Sequence, residues 1–213
     1  MNNVIPQSSG RGRRRQAASA EVLESILDAA AEEFAAHGFE GASTRRIAER
    51  AGVFQAQLGY HVGSKADLWT ATVDRLFDRL RAALDLPEGH VPDAGVIDPG
   101  TVFASVVRAH IRHTARYPQL QRIMALESTV ASERVQYLLD EHVRPVFALL
   151  ELVWSEVRAS GRGADVDADW VFMVMIGLGP LPFVQAPVLR PLLGDAAIDA
   201  DAHADRLLAW LLP

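Results

Sequence analysis

The sequence has no cysteine, which excludes disulfides, thiolate-held zinc and thiol nucleophiles together. Lysine is almost as scarce, with Lys65 the single one in 213 residues. No stretch of useful length alternates apolar and polar residues with period two, so no sheet is expected. The longest apolar run, from Trp170 to Val184, is short for a bilayer and contains Pro180 and Pro182. The N-terminal MNNVIPQSSGRGRRRQ carries no apolar stretch behind its charges. Neither a membrane span nor a signal peptide is expected, and a cytoplasmic location fits. A glycine-rich phosphate loop, an HExxH helix and a Glu-x-x-His pair are all missing, which stands against a helical enzyme.

What is present is sorted by charge. The formal net charge is -6, yet residues 1–68 hold eight bases (11, 13, 14, 15, 45, 46, 50 and 65) and eight acids, so the acid excess is C-terminal. The bases cluster at 11–15 and 45–65, a locally basic surface suited to a polyanion. Apolar residues make up 49% of the chain, enough for a sizeable core.

Apolar periodicity and cap signals predict an all-α fold of about nine helices. Residues 1–18 read as a flexible basic arm, lying along DNA or merely solubilising the chain. A helix over Ser19–His37 precedes short helices at Ser43–Arg50 and Gln55–Tyr60. Ser64 and Asp67 have capping-box spacing and open a helix reaching Asp85. Residues 86–100 form a linker rich in proline and glycine. Helices then follow at Asp98–Tyr117, Pro118–Ser128, Ala131–Ser160 with a kink at Pro145, Val166 to beyond Phe183, and Asp199–Leu212. The expected domains are 19–68 and 69–213.

Two short helices joined through glycine make a helix-turn-helix, which lays its second helix in the DNA major groove. The motif needs a small residue where the helices cross, a turn residue that tolerates positive φ, and apolar side chains beneath. Ala48, Gly52 and the set Ile47, Ala51, Val53 and Leu58 satisfy these demands, although Ala-xxx-Gly alone also fits an ordinary helical corner. Around them stand Thr44, Arg45 and Arg46 at one helix start and Tyr60, His61 and Lys65 near another.

From Gly38-Phe39 through Ser43-Thr44, Ile47-Ala48, Ala51-Gly52-Val53 and Leu58 to His61, Ser64-Lys65 and Leu68, the chain resembles the DNA-binding domain of the TetR family of bacterial transcriptional regulators. The resemblance covers roughly residues 19–70. It implies a homodimer, operator DNA as partner, a C-terminal domain that binds a small effector and thereby weakens DNA binding, and no cofactor. Position by position it implies phosphate contacts from Thr44, Arg45, Arg46 and Lys65, with Tyr60 and His61 beside the DNA backbone. Gln55, Ala56 and Gln57 would face base edges, where glutamine can pair with adenine N6 and N7. Two departures stand out. Phe54 replaces the usual Ser or Thr, removing a side-chain cap worth about 1 kcal/mol, and Val62 replaces the usual Phe.

The segment WVFMVMIGLGPLPFV is apolar on every side. In the family the last two helices pair with a second copy, so Gly177 and Gly179 would permit close approach and Leu207, Leu208, Trp210 and Leu211 would offer the matching stripe. Burial within one subunit is the other reading. Phe103, His110, Met124, Phe147, Trp154, Trp170 and Phe172 are candidate contacts for an apolar or aromatic effector, core packing being the alternative. His110 and His113 lie three apart but lack a carboxylate on their face, so no metal is expected. The competing functions are a dimeric small-ligand carrier without DNA binding and a helical enzyme.

Overall fold

A computed structural model describes residues 9–84 and 98–213, with side chains from residue 18 onward, and among these residues there are helices joined by turns and no strand. The chain divides into two units, Met1–Arg75 and Leu76–Pro213. The division falls within a helix rather than at residue 68.

The first unit contains α1 (Ser9–Gly41), α2 (Thr44–Ala51), α3 (Gln55–Val62) and the opening turns of α4 (Lys65–Ala83). α1 starts ahead of the expected Ser19, so the segment read as a flexible arm is helical backbone from Ser9, while residues 1–8 lie outside the described residues. Ile26, Leu27, Ala30 and Phe34 recur at three- and four-residue steps and are buried, as an amphipathic helix requires. Ile47 of α2 and Leu68, Trp69 and Val73 of α4 are buried in the same unit. Phe39 stands edge-on to Trp69 with centroids 6.5 Å apart, and Ser25 Oγ donates to the last carbonyl of α2, Ala51 O, at 2.9 Å.

The second unit takes the end of α4 and adds α5 (Pro99–Arg116), α6 (Gln119–Glu127), α7 (Glu133–Tyr137), α8 (Arg144–Ala159), α9 (Ala168–Met173), α10 (Leu181–Val184), α11 (Ala186–Leu193) and α12 (Ala200–Leu211). The linker expected over 86–100 lies outside the described residues up to 97, and Asp98 beyond it caps α5 by accepting from Thr101 N–H at 3.0 Å. Asp199 caps α12 through Ala202 N–H at 2.7 Å. α5 and α12 are joined by Arg108 to Asp205 and Arg112 to Asp201, each at 2.6 Å. Phe103, Val107 and Ile111 of α5, Trp154 and Val157 of α8, and Leu207, Leu208 and Leu211 of α12 share one core. Three residues read as a stripe for a second copy are thus buried in their own chain, and of that stripe Trp210 remains exposed.

Two long helices are not uniform. Leu138–Val143 and Val174–Leu178 are wound as π-helix. The first precedes Pro145, the residue expected to kink the helix, whose ring has no N–H to give and would collide with the carbonyl four residues back in a regular α-helix. In the second, Gly179 N–H reaches Val174 O at 2.8 Å. The neighbouring carbonyls are met by two histidines: His110 Nε2 lies 3.2 Å from Met175 O, and His203 Nε2 lies 3.2 Å from Leu178 O and 3.1 Å from Gly179 O. α11 has no counterpart in the expected set, because Pro187 and Pro191 interrupt its sequence and it buries no apolar stripe. No single helix among the described residues is long and apolar enough to cross a membrane.

Candidate nucleic-acid interface and ligand cavity

Ser43 caps α2, its Oγ accepting from Arg46 N–H at 3.4 Å, and Gly52 ends the helix at φ 69°. Gly52 and Val53 then return their N–H groups to Glu49 O and Ala48 O at 3.3 and 3.0 Å. That left-handed turn redirects the chain into α3, over the buried Ile47, Ala48, Leu58 and Val62. Leu58 and Val62 point inward four residues apart, which sets Ala56, Gln57 and Tyr60 on the opposite face. Gln55, Ala56, Gln57 and Tyr60 are all exposed, Tyr60 by 86%. Its ring meets His61 edge-on at 5.4 Å.

The start of α3 departs from the usual cap. Phe54 has no side-chain acceptor, and Gln57 Oε1 takes the Phe54 N–H instead at 3.0 Å. One half of a reciprocal cap is therefore made by the helix's own third residue. Pairing with adenine through both N6 and N7 requires that same oxygen, so of the two glutamines Gln55 has no such competing bond in this turn.

The cations differ in their commitments. Arg45 is exposed and meets Glu49 across one helical turn at 3.0 Å. Thr44 is half-buried at the first position of α2. Arg46 Nε donates to Glu33 Oε1 at 2.7 Å and Nη2 to Gly41 O at 2.9 Å. Lys65 Nζ donates to Glu40 O at 3.2 Å and sits 4.9 Å from the Phe39 ring centroid. Arg46 and Lys65 together hold the carbonyls of Gly41 and Glu40, in the short turn that follows the break of α1 at Gly38 (φ 64°, ψ 179°). Sequence spacing gave no sign of this, because Glu33 and Glu40 are brought up by the fold.

Glu33 is buried in the core and also accepts Ser43 N–H at 3.0 Å. Burial pushes its pKa up, but the Arg46 hydrogen bond, the Ser43 N–H and the charges of Arg46 and His37 outweigh it and leave the carboxyl below its ordinary value. At the start of α4, Ser64 and Asp67 form the expected box, with Ser64 N–H to Asp67 Oδ2 at 2.9 Å and Asp67 N–H to Ser64 Oγ at 3.1 Å. The Ser64 hydroxyl and then its N–H lower the Asp67 pKa.

The second unit contains a cavity of about 270 Å³. Of the expected effector contacts it brings together Phe103, His110, Met124 and Phe172. The other three stand outside its lining. Phe147 supports Phe172 edge-on at 5.2 Å. Trp154 is core, 5.0 Å from Phe103, with its indole N–H donated to Val166 O at 2.9 Å. Trp170 is on the surface, 4.7 Å from Trp210. Phe77, Leu80 and Leu84 of the α4 end line the cavity too; their helical stripe reads in sequence as plain core. Among the described residues no Lys, Arg, Asp or Glu lines it, and its polar residues there are His110, Gln121 and Ser128. Burial pushes His110 down to about 4; its bond to Met175 O opposes this and the nearby His113 adds to it. His113 is lowered by burial and by Arg79, and its ring lies 5.2 Å from Tyr117. Among the described residues no group of three His, Asp or Glu side chains is placed to hold a metal.

Residues 26–72 match the family model of bacterial regulatory proteins, tetR family. No curated protein matches the sequence. Solved structures match along almost the whole chain. HlyIIR, a hemolysin II transcriptional regulator, is 18% identical, covering 92% of this chain and 99% of its own with a TM-score of 0.62. A TetR-like transcriptional regulator from Rhodococcus sp. RHA1 is 19% identical, covering 87% and 91%, at 0.61. The fatty acid degradation regulator FadR from Bacillus halodurans is 19% identical, covering 88% and 94%, at 0.60. The helix-turn-helix segment of this chain is thus similar to the tetR family of bacterial regulatory proteins, and the chain shares its fold with TetR-like transcriptional regulators.

Proposed function

We propose that this chain is a homodimeric transcriptional repressor that leaves its operator when a small, uncharged, largely apolar molecule enters the cavity. The observation that carries the reading is α3: Gln55, Ala56, Gln57 and Tyr60 stand outward from a segment similar to the tetR family. Arg45 and Thr44 at the start of α2 supply phosphate contacts, with His61 and Tyr60 beside the backbone. A second copy is supported by Trp170, Met173, Ile176, Leu178 and Trp210, large apolar side chains that are all exposed, as at interaction sites. The effector class follows from a lining without charged side chains among the described residues, and a neighbour described as a fatty acid degradation regulator is compatible with a hydrocarbon ligand. Regulation rather than catalysis rests on the family alone.

The test is capture of fragments of its own genome by the purified chain, followed by release with hydrophobic compounds. Enrichment of one upstream region, and displacement that is lost when Met124→Trp fills the cavity, is the expected outcome. A chain that takes up apolar ligands but enriches no fragment is a carrier, which overturns the proposal.

A further inference from the structure

Phe54 and Tyr60 are the large apolar side chains exposed in the described part of the first unit, by 80% and 86%, and they lie at opposite ends of α3. Folding gains nothing from Phe54. Its ring is outside the core, where burial would stabilise the fold, and it occupies a cap position where Ser or Thr would stabilise the helix. The backbone is nevertheless fixed there, at φ -73° and ψ 148° with the N–H held by Gln57 Oε1 at 3.0 Å. The ring is thus a presented apolar group beside Gln55, at the end of a recognition helix that enters the major groove first.

The single apolar group on a base-pair edge in the major groove is the thymine 5-methyl. Resting on the DNA-binding role proposed above, we propose that Phe54 reads a thymine methyl at the edge of each half-site, while Gln57 serves as the helix cap and adenine readout falls to Gln55. Ala56, two residues after Phe54, leaves the base edges reachable by its larger neighbours.

The experiment starts from duplexes selected by the purified full chain from a random-sequence pool. Each thymine of the winner is replaced in turn by deoxyuridine, which removes only the methyl, and affinity is read for wild type, Phe54→Ala and Phe54→Ser. One thymine per half-site should weaken wild-type binding about fourfold on replacement, the value of one buried methyl. Neither variant should discriminate at that position. Phe54→Ser restores a side-chain cap, so lost discrimination in that variant is not lost folding. Wild-type affinity unchanged at every position, or the same sensitivity in the variants, overturns the assignment of Phe54 while leaving DNA binding intact; failure to select any duplex overturns both.

Discussion

The Arg46 guanidinium lies 2.7 Å through Nε from Oε1 of Glu33, a buried carboxylate one helix away, and spans from there to the Gly41 carbonyl. A side chain that sequence alone places on a phosphate is a tie between α1 and α2. Glu33 gains from being ionised in the folded state, so its native pKa is below the ordinary 4.5. This contribution is complete above that value and is lost as pH falls through the lowered native value. Glu33→Gln should destabilise the first unit by about 1 to 2 kcal/mol at neutral pH and flatten its loss of stability in acid. Urea unfolding followed by helix content across pH 3 to 6, a range set by about one to two units around the carboxylate values, checks both; an unchanged acid limb means the pair is not coupled to folding.

Gly63 connects α3 to α4 at φ 71° and ψ -123°, and a Cβ there would approach Asp67 Oδ2 to 2.8 Å. Gly63→Ala should therefore cost about 2 kcal/mol, through backbone strain and a displaced capping carboxylate. Gly59 makes the opposite case, being inside α3 with no heavy atom near an added Cβ. Gly59→Ala should add about 0.5 to 1 kcal/mol. Thermal unfolding of the pair reads the two signs side by side, and the same sign in both would show that the turn geometry is wrong.

His110 has its pKa pushed down to about 4, so the unfolded chain binds its proton first as pH drops below 6.5. Stability attached to this residue is complete above 6.5 and is lost between 6.5 and 4. In His110→Gln that loss should shrink while the neutral-pH fold persists, because the amide can still donate toward Met175 O. His113, lowered as well, retains the remainder of the slope. Proton titration of the ring by nuclear magnetic resonance supplies the direct check: a His110 signal moving near 6.5 contradicts its burial.

Trp210 is 46% exposed and packs edge-on with Trp170. Trp210→Glu should leave helix content unchanged and shift the sedimenting species from dimer to monomer, since a desolvated carboxylate at a shared apolar face is strongly unfavourable. A variant that still sediments as a dimer places the shared face elsewhere.

The helix-turn-helix was legible because its demands are local: Ala48, Gly52 and Leu58 must sit at fixed spacings whatever surrounds them. The same holds for the Ser64–Asp67 box and the caps at Asp98 and Asp199. Partners distant in sequence were not legible. Arg46 and Lys65 carry charge in a basic stretch, and nothing nearby announces that Glu33 and the Glu40 carbonyl reach them first. In the second unit, periodicity separates inward from outward residues but cannot separate core from cavity wall. Trp154 and Phe103 therefore read alike, although one is packed with its indole N–H satisfied and the other borders open space. The π-wound turns are hidden for a related reason, since Val174 to Leu178 would suit an α-helix until His110 and His203 claim its carbonyls.

The most direct measurement of the central claim is the salt dependence of binding to a selected duplex, compared between wild type, Arg45→Ala and Arg46→Ala by fluorescence anisotropy. The selected duplex should be preferred over a scrambled one by about a thousandfold or more. Arg45→Ala should reduce the slope of log affinity against log salt by about one, the loss of one phosphate contact, whereas Arg46→Ala should leave the slope unchanged. Equal affinity for selected and scrambled duplexes, with no change of slope in Arg45→Ala, would contradict the claim.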